Sequence, residues 1–148
     1  MHRAAGACLM MAIGCIALAG AAQTRPASVR VFVFTAPDGP DLKNRNESVK
    51  EVRSAMGGKY KGLQIVVPAA LKREEADVVV EVLSREASAT NKSQITVHLL
   101  LTAGSLTGGV DGQDTDGDWD DAASDAAEKA QVWIGGNRDR IMERTPSR

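Results

Sequence analysis

Aspartates crowd one stretch of the chain: Asp111, Asp114, Asp116, Asp118, Asp120, Asp121 and Asp125, then Glu128, with no lysine or arginine among residues 103–128. Side-chain oxygens at alternate positions are what a calcium loop requires, together with glycine in sixth place for the sharp turn and a bidentate carboxylate in twelfth. Counting from Asp114 puts Asp116, Asp118 and Asp120 at alternate positions and Asp125 in twelfth, but Trp119 stands sixth. Moving Gly117 into that place leaves Gly112 first and Ala123 twelfth, and two ligands are lost. A helix start uses the same residues more fully. Asp118 as N-cap can accept from exposed main-chain N–H groups, while Asp120 and Asp121 in the first turn complement the positive end of the helix. The spacing predicts a helix beginning after Asp118. The alternative is a calcium-binding loop over residues 111–125, held by Asp114, Asp116, Asp118, Asp120 and Asp125.

Acid–base chemistry has one further candidate. His98 lies in a strand-like pattern, and Glu81 of a neighbouring strand can share its face. A Glu–His pair can move a proton, although the commoner use of such a pair is a polar contact across a sheet. No G-x-S-x-G elbow is present, and Gly104-Ser-Leu-Thr-Gly-Gly109 lacks the Lys-Ser/Thr of a phosphate-binding loop. The expectation is no catalytic residue, no cofactor and no resident metal.

The elements that position these residues begin after an apolar leader. Met1-His-Arg is followed by an uncharged run to Ala22 that ends in small residues, the build of a secretory signal peptide. Residues 1–22 are expected to be removed, residues 23–28 to link, residues 29–142 to form one domain and residues 143–148 to be a flexible tail. A lipid anchor at Cys15 is the lesser reading, because Ala12 fits that slot poorly. Cys8 and Cys15 both lie in the leader, so the mature chain would have no thiol, hence no disulfide and no cysteine ligand. It would carry 17 basic and 19 acidic residues, a net charge of −2, which disfavours nucleic acid as a partner. The expected location is periplasmic or secreted, with no membrane span after cleavage.

Residues 29–34, Val-Arg-Val-Phe-Val-Phe, read as a central strand. Ser48 and Glu51 form a capping-box pattern ahead of Val49, Val52 and Met56 at helical spacing, with Gly57-Gly58 as the stop. Residues 63–67 read as a second strand, parallel to the first. A short helix over 69–76, strands over 77–83 and 94–102 joined by a polar connection, and a long helix over 119–142 complete the order β-α-β-(short α)-β-β-α. The expected fold is α/β: a two-layer sandwich, a mixed four-stranded sheet with two main helices on one face.

Glu75-Ala-Asp-Val-Val-Val-Glu-Val-Leu-Ser84, preceded by a strand–helix–strand unit and followed by another strand, resembles the Ala-Asp-apolar strand of small periplasmic α/β domains. The amino-terminal domain of the TolB translocation protein and the periplasmic domain of the curli secretion channel are of this type. The similarity covers element order over residues 29–101. It implies an envelope-associated interaction module with no catalytic site.

Two helices can cover one side of such a sheet, yet Phe32, Phe34, Val66, Val79 and Leu100 occupy the alternate phase of their strands. Either loops fold over these side chains or they form an open apolar face. The functional expectation is therefore docking of a protein partner, or of a second copy as a homo-oligomer, through that face or through a sheet edge.

Overall fold

The computed structural model describes residues 27–144; the leader, most of the linker and residues 145–148 lie outside them. Strand β1 (Ser28–Phe34) leads into helix α1 (Leu42–Met56), and the tight hairpin β2 (Gly58–Tyr60) and β3 (Leu63–Val66) follows. Next come β4 (Val78–Ala87), β5 (Ile95–Ala103) and β6 (Leu106–Asp114), and the described chain ends with α2 (Trp119–Gly136) and α3 (Arg138–Met142). Among the described residues the strands form one six-stranded sheet in the order β2-β3-β1-β4-β5-β6. The first half of β1 pairs with β3 and the second half with β4, both parallel, while the outer pairs are antiparallel.

The α/β class holds, and the sheet is wider than the sequence led us to expect by β2 and β6. Lys61 and Gly62, at φ 45° and 78°, make the two-residue hairpin turn that joins β2 to β3 and suits the sheet's twist. Gly57 is extended, at φ −72° and ψ 145°, so the glycines after α1 carry the chain straight into β2. Strand β6, Leu-Thr-Gly-Gly-Val-Asp-Gly-Gln-Asp, follows a turn in which Gly104 has φ 60°, a first central position that favours glycine.

Four further boundaries differ. Helix α1 starts at Leu42, after Asp41 in the left-handed region, and Ser48 is a buried interior residue, not a cap. The short helix expected over 69–76 is a single 3-10 turn at Arg73–Glu75, since too few apolar side chains anchor it. Strand β4 continues to Ala87 through a bulge between Val82 and Ser84. The helix expected over 119–142 breaks at Asn137, whose amide side chain donates to the Trp133 carbonyl.

Alternation explains the core. Val29, Val31, Val33, Leu63, Ile65, Val78, Val80, Val82, Ile95, Val97, Leu99 and Leu101 are at most 1% exposed, and every one sits in the same phase of its strand. They meet Val49, Val52 and Met56 of α1 and the alanine stripe Ala122, Ala123, Ala126, Ala127 and Ala130 of α2, all buried. Helix α1 packs on β1 and β4, and α2 on β5 and β6. Gln131 of α2 donates to the Ala55 and Met56 carbonyls, tying the helices end to side. No helix among the described residues is long and apolar enough to cross a membrane.

The bulge at Leu83 transposes the last part of β4. Val82 faces the helices, Leu83 is the extra residue and is 47% exposed, and Ser84 then pairs with His98 on the other face. Arg85 consequently turns inward. Its guanidinium donates to the Asn44 carbonyl and to Glu47 of α1, both at 3.2 Å, and lies 4.2 Å over the Trp119 ring of α2. A phase shift of one residue thus places a cation where it clamps both helices.

Candidate functional site

Chemistry-bearing residues gather on the sheet face turned away from the helices. Phe32, Phe34, Val66, Val79 and Leu100 all lie there and are half-buried. Phe32 and Phe34, two apart on β1, stack with centroids 5.9 Å apart. The 3-10 turn reaches this face at one margin: the Arg73 guanidinium lies 4.4 Å over the Phe34 ring. Beside it Asp77 binds Arg30 three times, accepting from its main-chain N–H at 2.8 Å and from the guanidinium at 3.0 and 3.2 Å. The resulting hydrogen bond and ion pair hold the Arg30 guanidinium pKa above its ordinary value, against the opposing effect of burial. Part of the face is therefore rimmed by charge, and its apolar side chains are half-buried.

His98 stands across the same face from that margin. Its partner is not Glu81, which pairs with Leu100 in the β4–β5 register. His98 Nδ1 lies 2.7 Å from Asp111 Oδ1 on β6, and Nε2 lies 3.9 Å from Glu86 on β4. A carboxylate accepts only, so Nδ1 carries the proton in the short bond. The two share a face but stand two residues out of register, because the ladder upstream of the Leu83 bulge sets Glu81 opposite Leu100. What remains is a solvent-facing polar row across three strands, Ser84, His98 and Asp111.

The acidic stretch spends its carboxylates on the main chain. Asp114 accepts from the N–H groups of Asp116 and Asp118, both at 2.8 Å. Asp118 accepts from Asp120 at 2.9 Å and Asp121 at 3.4 Å, capping α2. Asp125, one helical turn or more away, accepts from the Gln113 N–H and from Lys129, each at 2.8 Å. Asp116, Asp118 and Asp120 line a shallow depression of about 430 Å³ with Glu51, Gly117 and Trp119, and Asp114 and Asp125 lie outside that lining. Among the described residues no three histidine, cysteine, aspartate or glutamate side chains are grouped so as to hold a metal. Burial raises the Glu51 pKa, with Arg85 opposing.

Two outcomes follow from these bonds. Replacing Asp118 by alanine should cost about 1 kcal/mol of stability, the ordinary worth of an N-cap, measured by urea denaturation. Main-chain donors, that of Asp118 first, lower the Asp114 pKa. For Asp125 burial pushes upward, but Lys129 and the Gln113 N–H together outweigh it and the pKa falls. A carboxylate depressed in the folded state contributes stability above its unfolded pKa and loses it as the pH falls through the folded one. Stability should therefore drop below about pH 4, and Asp114→Asn should flatten that part of the curve in a pH series of melting temperatures.

Sequence reasoning had no signal for two of these groups. Arg73 over Phe34 and the Arg30–Asp77 pair join residues far apart in the chain, whereas Asp125 and Lys129 stand at the local i,i+4 spacing.

No family model matches the chain, and no curated protein matches it in sequence. Among solved structures it is similar to a ribosomal subunit interface protein from Coxiella burnetii, at 10% identity and a TM-score of 0.38, over 75% of this chain and 99% of that one.

Proposed function

We propose that this domain works by contact, docking a protein partner or a second copy of itself on the sheet face that carries Phe32, Phe34, Val66, Val79 and Leu100. The observation that carries the reading is the stacked Phe32–Phe34 pair, half-buried on a face that also presents Val66, Val79 and Leu100. An aromatic centre with a charged rim is the composition of an interface hot spot. The edges support docking less well: β2 has three residues, and β6 is covered along half its length. The leader and the resemblance to small periplasmic modules favour an envelope or extracellular setting for this contact.

The test uses side chains that the core does not need. Val79→Lys with Leu100→Lys should leave the circular dichroism spectrum unchanged. It should also abolish binding of an apolar dye and convert any self-associated species to monomer in sedimentation velocity. A wild-type chain that is strictly monomeric, silent to the dye and unlabelled in an envelope extract by a photo-crosslinker at Phe34 would rule the reading out.

A further inference from the structure

The outer edge of β6 carries a device of its own. In an extended strand the N–H and C=O of one residue point to the same side and those of the next to the other. The Gln113 N–H donates to Asp125 and the Asp111 carbonyl accepts from Lys129, both at 2.8 Å. Residues 107, 109, 111 and 113 therefore aim their main-chain groups away from β5, along the free edge. Asp125 and Lys129, one turn apart on α2, are themselves joined at 2.8 Å. Their pair presents one acceptor and one donor to Gln113 N–H and Asp111 C=O, the two groups that a residue of a further strand would bind.

We infer that the Asp125–Lys129 pair is an edge guard, a side-chain stand-in for a seventh strand that keeps β6 from pairing with another chain. Length decides whether it matters. With the pair in place the uncovered edge is residues 107–109, at the lower limit of strand length and short of the commonest value of about 5–6 residues. Without it the edge runs through Gln113, seven residues, which is beyond that commonest length and well inside the ordinary range of about 3–10. Three glycines and two small or amide side chains along β6 offer no bulk to repel a partner, so an unguarded edge of that length is a template for association. The opposite edge needs no such device because β2 is only three residues long. This inference is independent of the face proposed above.

The test compares purified full chains by sedimentation velocity over a range of concentrations. Asp125→Ala with Lys129→Ala should associate roughly tenfold more tightly than wild type while keeping a folded spectrum, and Lys129→Met alone should show an intermediate gain. Adding Gln113→Pro to the double variant removes an outward N–H without touching the β5 ladder, and should return association to the wild-type level. A folded double variant that associates no more than wild type overturns the inference. So does a gain that Gln113→Pro leaves in place, because the association would then arise elsewhere. If the double variant fails to fold, Lys129→Met with and without Gln113→Pro gives the same decision.

Discussion

Gly112→Val is expected to remove about 3 kcal/mol or more of stability, a large fraction of the roughly 5–15 kcal/mol of a typical domain. A Cβ built on Gly112 would sit 2.1 Å from the Ala122 carbonyl oxygen and 2.3 Å from the Ala126 nitrogen. Both are helix backbone and cannot swing aside, so α2 must lift from β6 and expose the alanine stripe. The neighbouring glycines are graded controls. At Gly108 the obstacle is the Trp133 ring, 2.2 Å away, which can rotate at some cost; at Gly109 the nearest atom is the Leu99 carbonyl at 3.9 Å, an ordinary contact. Urea midpoints should therefore fall in the order Gly109→Ala, Gly108→Ala, Gly112→Ala, with valine at 112 the lowest. Equal midpoints for the three alanine variants would mean that α2 does not rest on β6 as described.

Arg45→Met should be nearly as damaging, at about 3 kcal/mol. Arg45 is 5% exposed, and its guanidinium is held by oxygens of the loop that precedes it: Pro40, Ala36 and Asp38 carbonyls at 2.8–3.0 Å and the Thr35 hydroxyl at 2.7 Å. Thr35 in turn donates to the Val82 carbonyl at 2.8 Å, so one side chain fastens the β1–α1 loop to β4. Methionine fills the volume and leaves four acceptors without their donor. Lysine should rescue little, because a point charge cannot reproduce the fork that reaches four directions. Besides the lowered midpoint, the expected signature is cleavage by a nonspecific protease within residues 35–41, a segment the wild type should protect. Resistance of that loop in Arg45→Met would show that the loop is ordered by something else.

The contrast between these two sites explains what could be read from the chain. The central strands were legible because Val29, Val31 and Val33, and Ile95, Val97, Leu99 and Leu101, repeat with period two, and the alternate phase named the open face as well. The start of α2 at its Asp118 cap was legible too, since a cap is local. Strand β6 was not. Gly108 and Gly112 are there because α2 comes so near, and glycine removes the side-chain pattern by which a strand is recognised. Its existence is decided by a helix that follows it in sequence, and the turn-like composition that results is a consequence of tertiary packing. The start of α1 was misplaced on similar grounds. Asp41 makes no side-chain cap, the first turn is polar, and the loop is fixed by Arg45 from inside the helix; Ser48 and Glu51 merely spelled a cap. The Glu81–His98 pairing failed at a third kind of obstacle: alternation assigns both to one face but does not fix the register, which sets Glu81 opposite Leu100.

The Leu83 bulge has a wider consequence for how this chain tolerates change. Upstream of it, β4 obeys the parity of its neighbours; downstream, odd and even exchange places, and Arg85 reaches the two helices only because of that exchange. Deleting Leu83 would close the bulge into a regular ladder, with Val82 still opposite Leu99, Ser84 opposite His98 and Arg85 opposite Val97, so Arg85 would still face the helices. The distal third of the hairpin is thus addressed by parity, and losing the one surplus residue would be a milder event than straightening the strand with that residue kept, which would turn Arg85 to solvent.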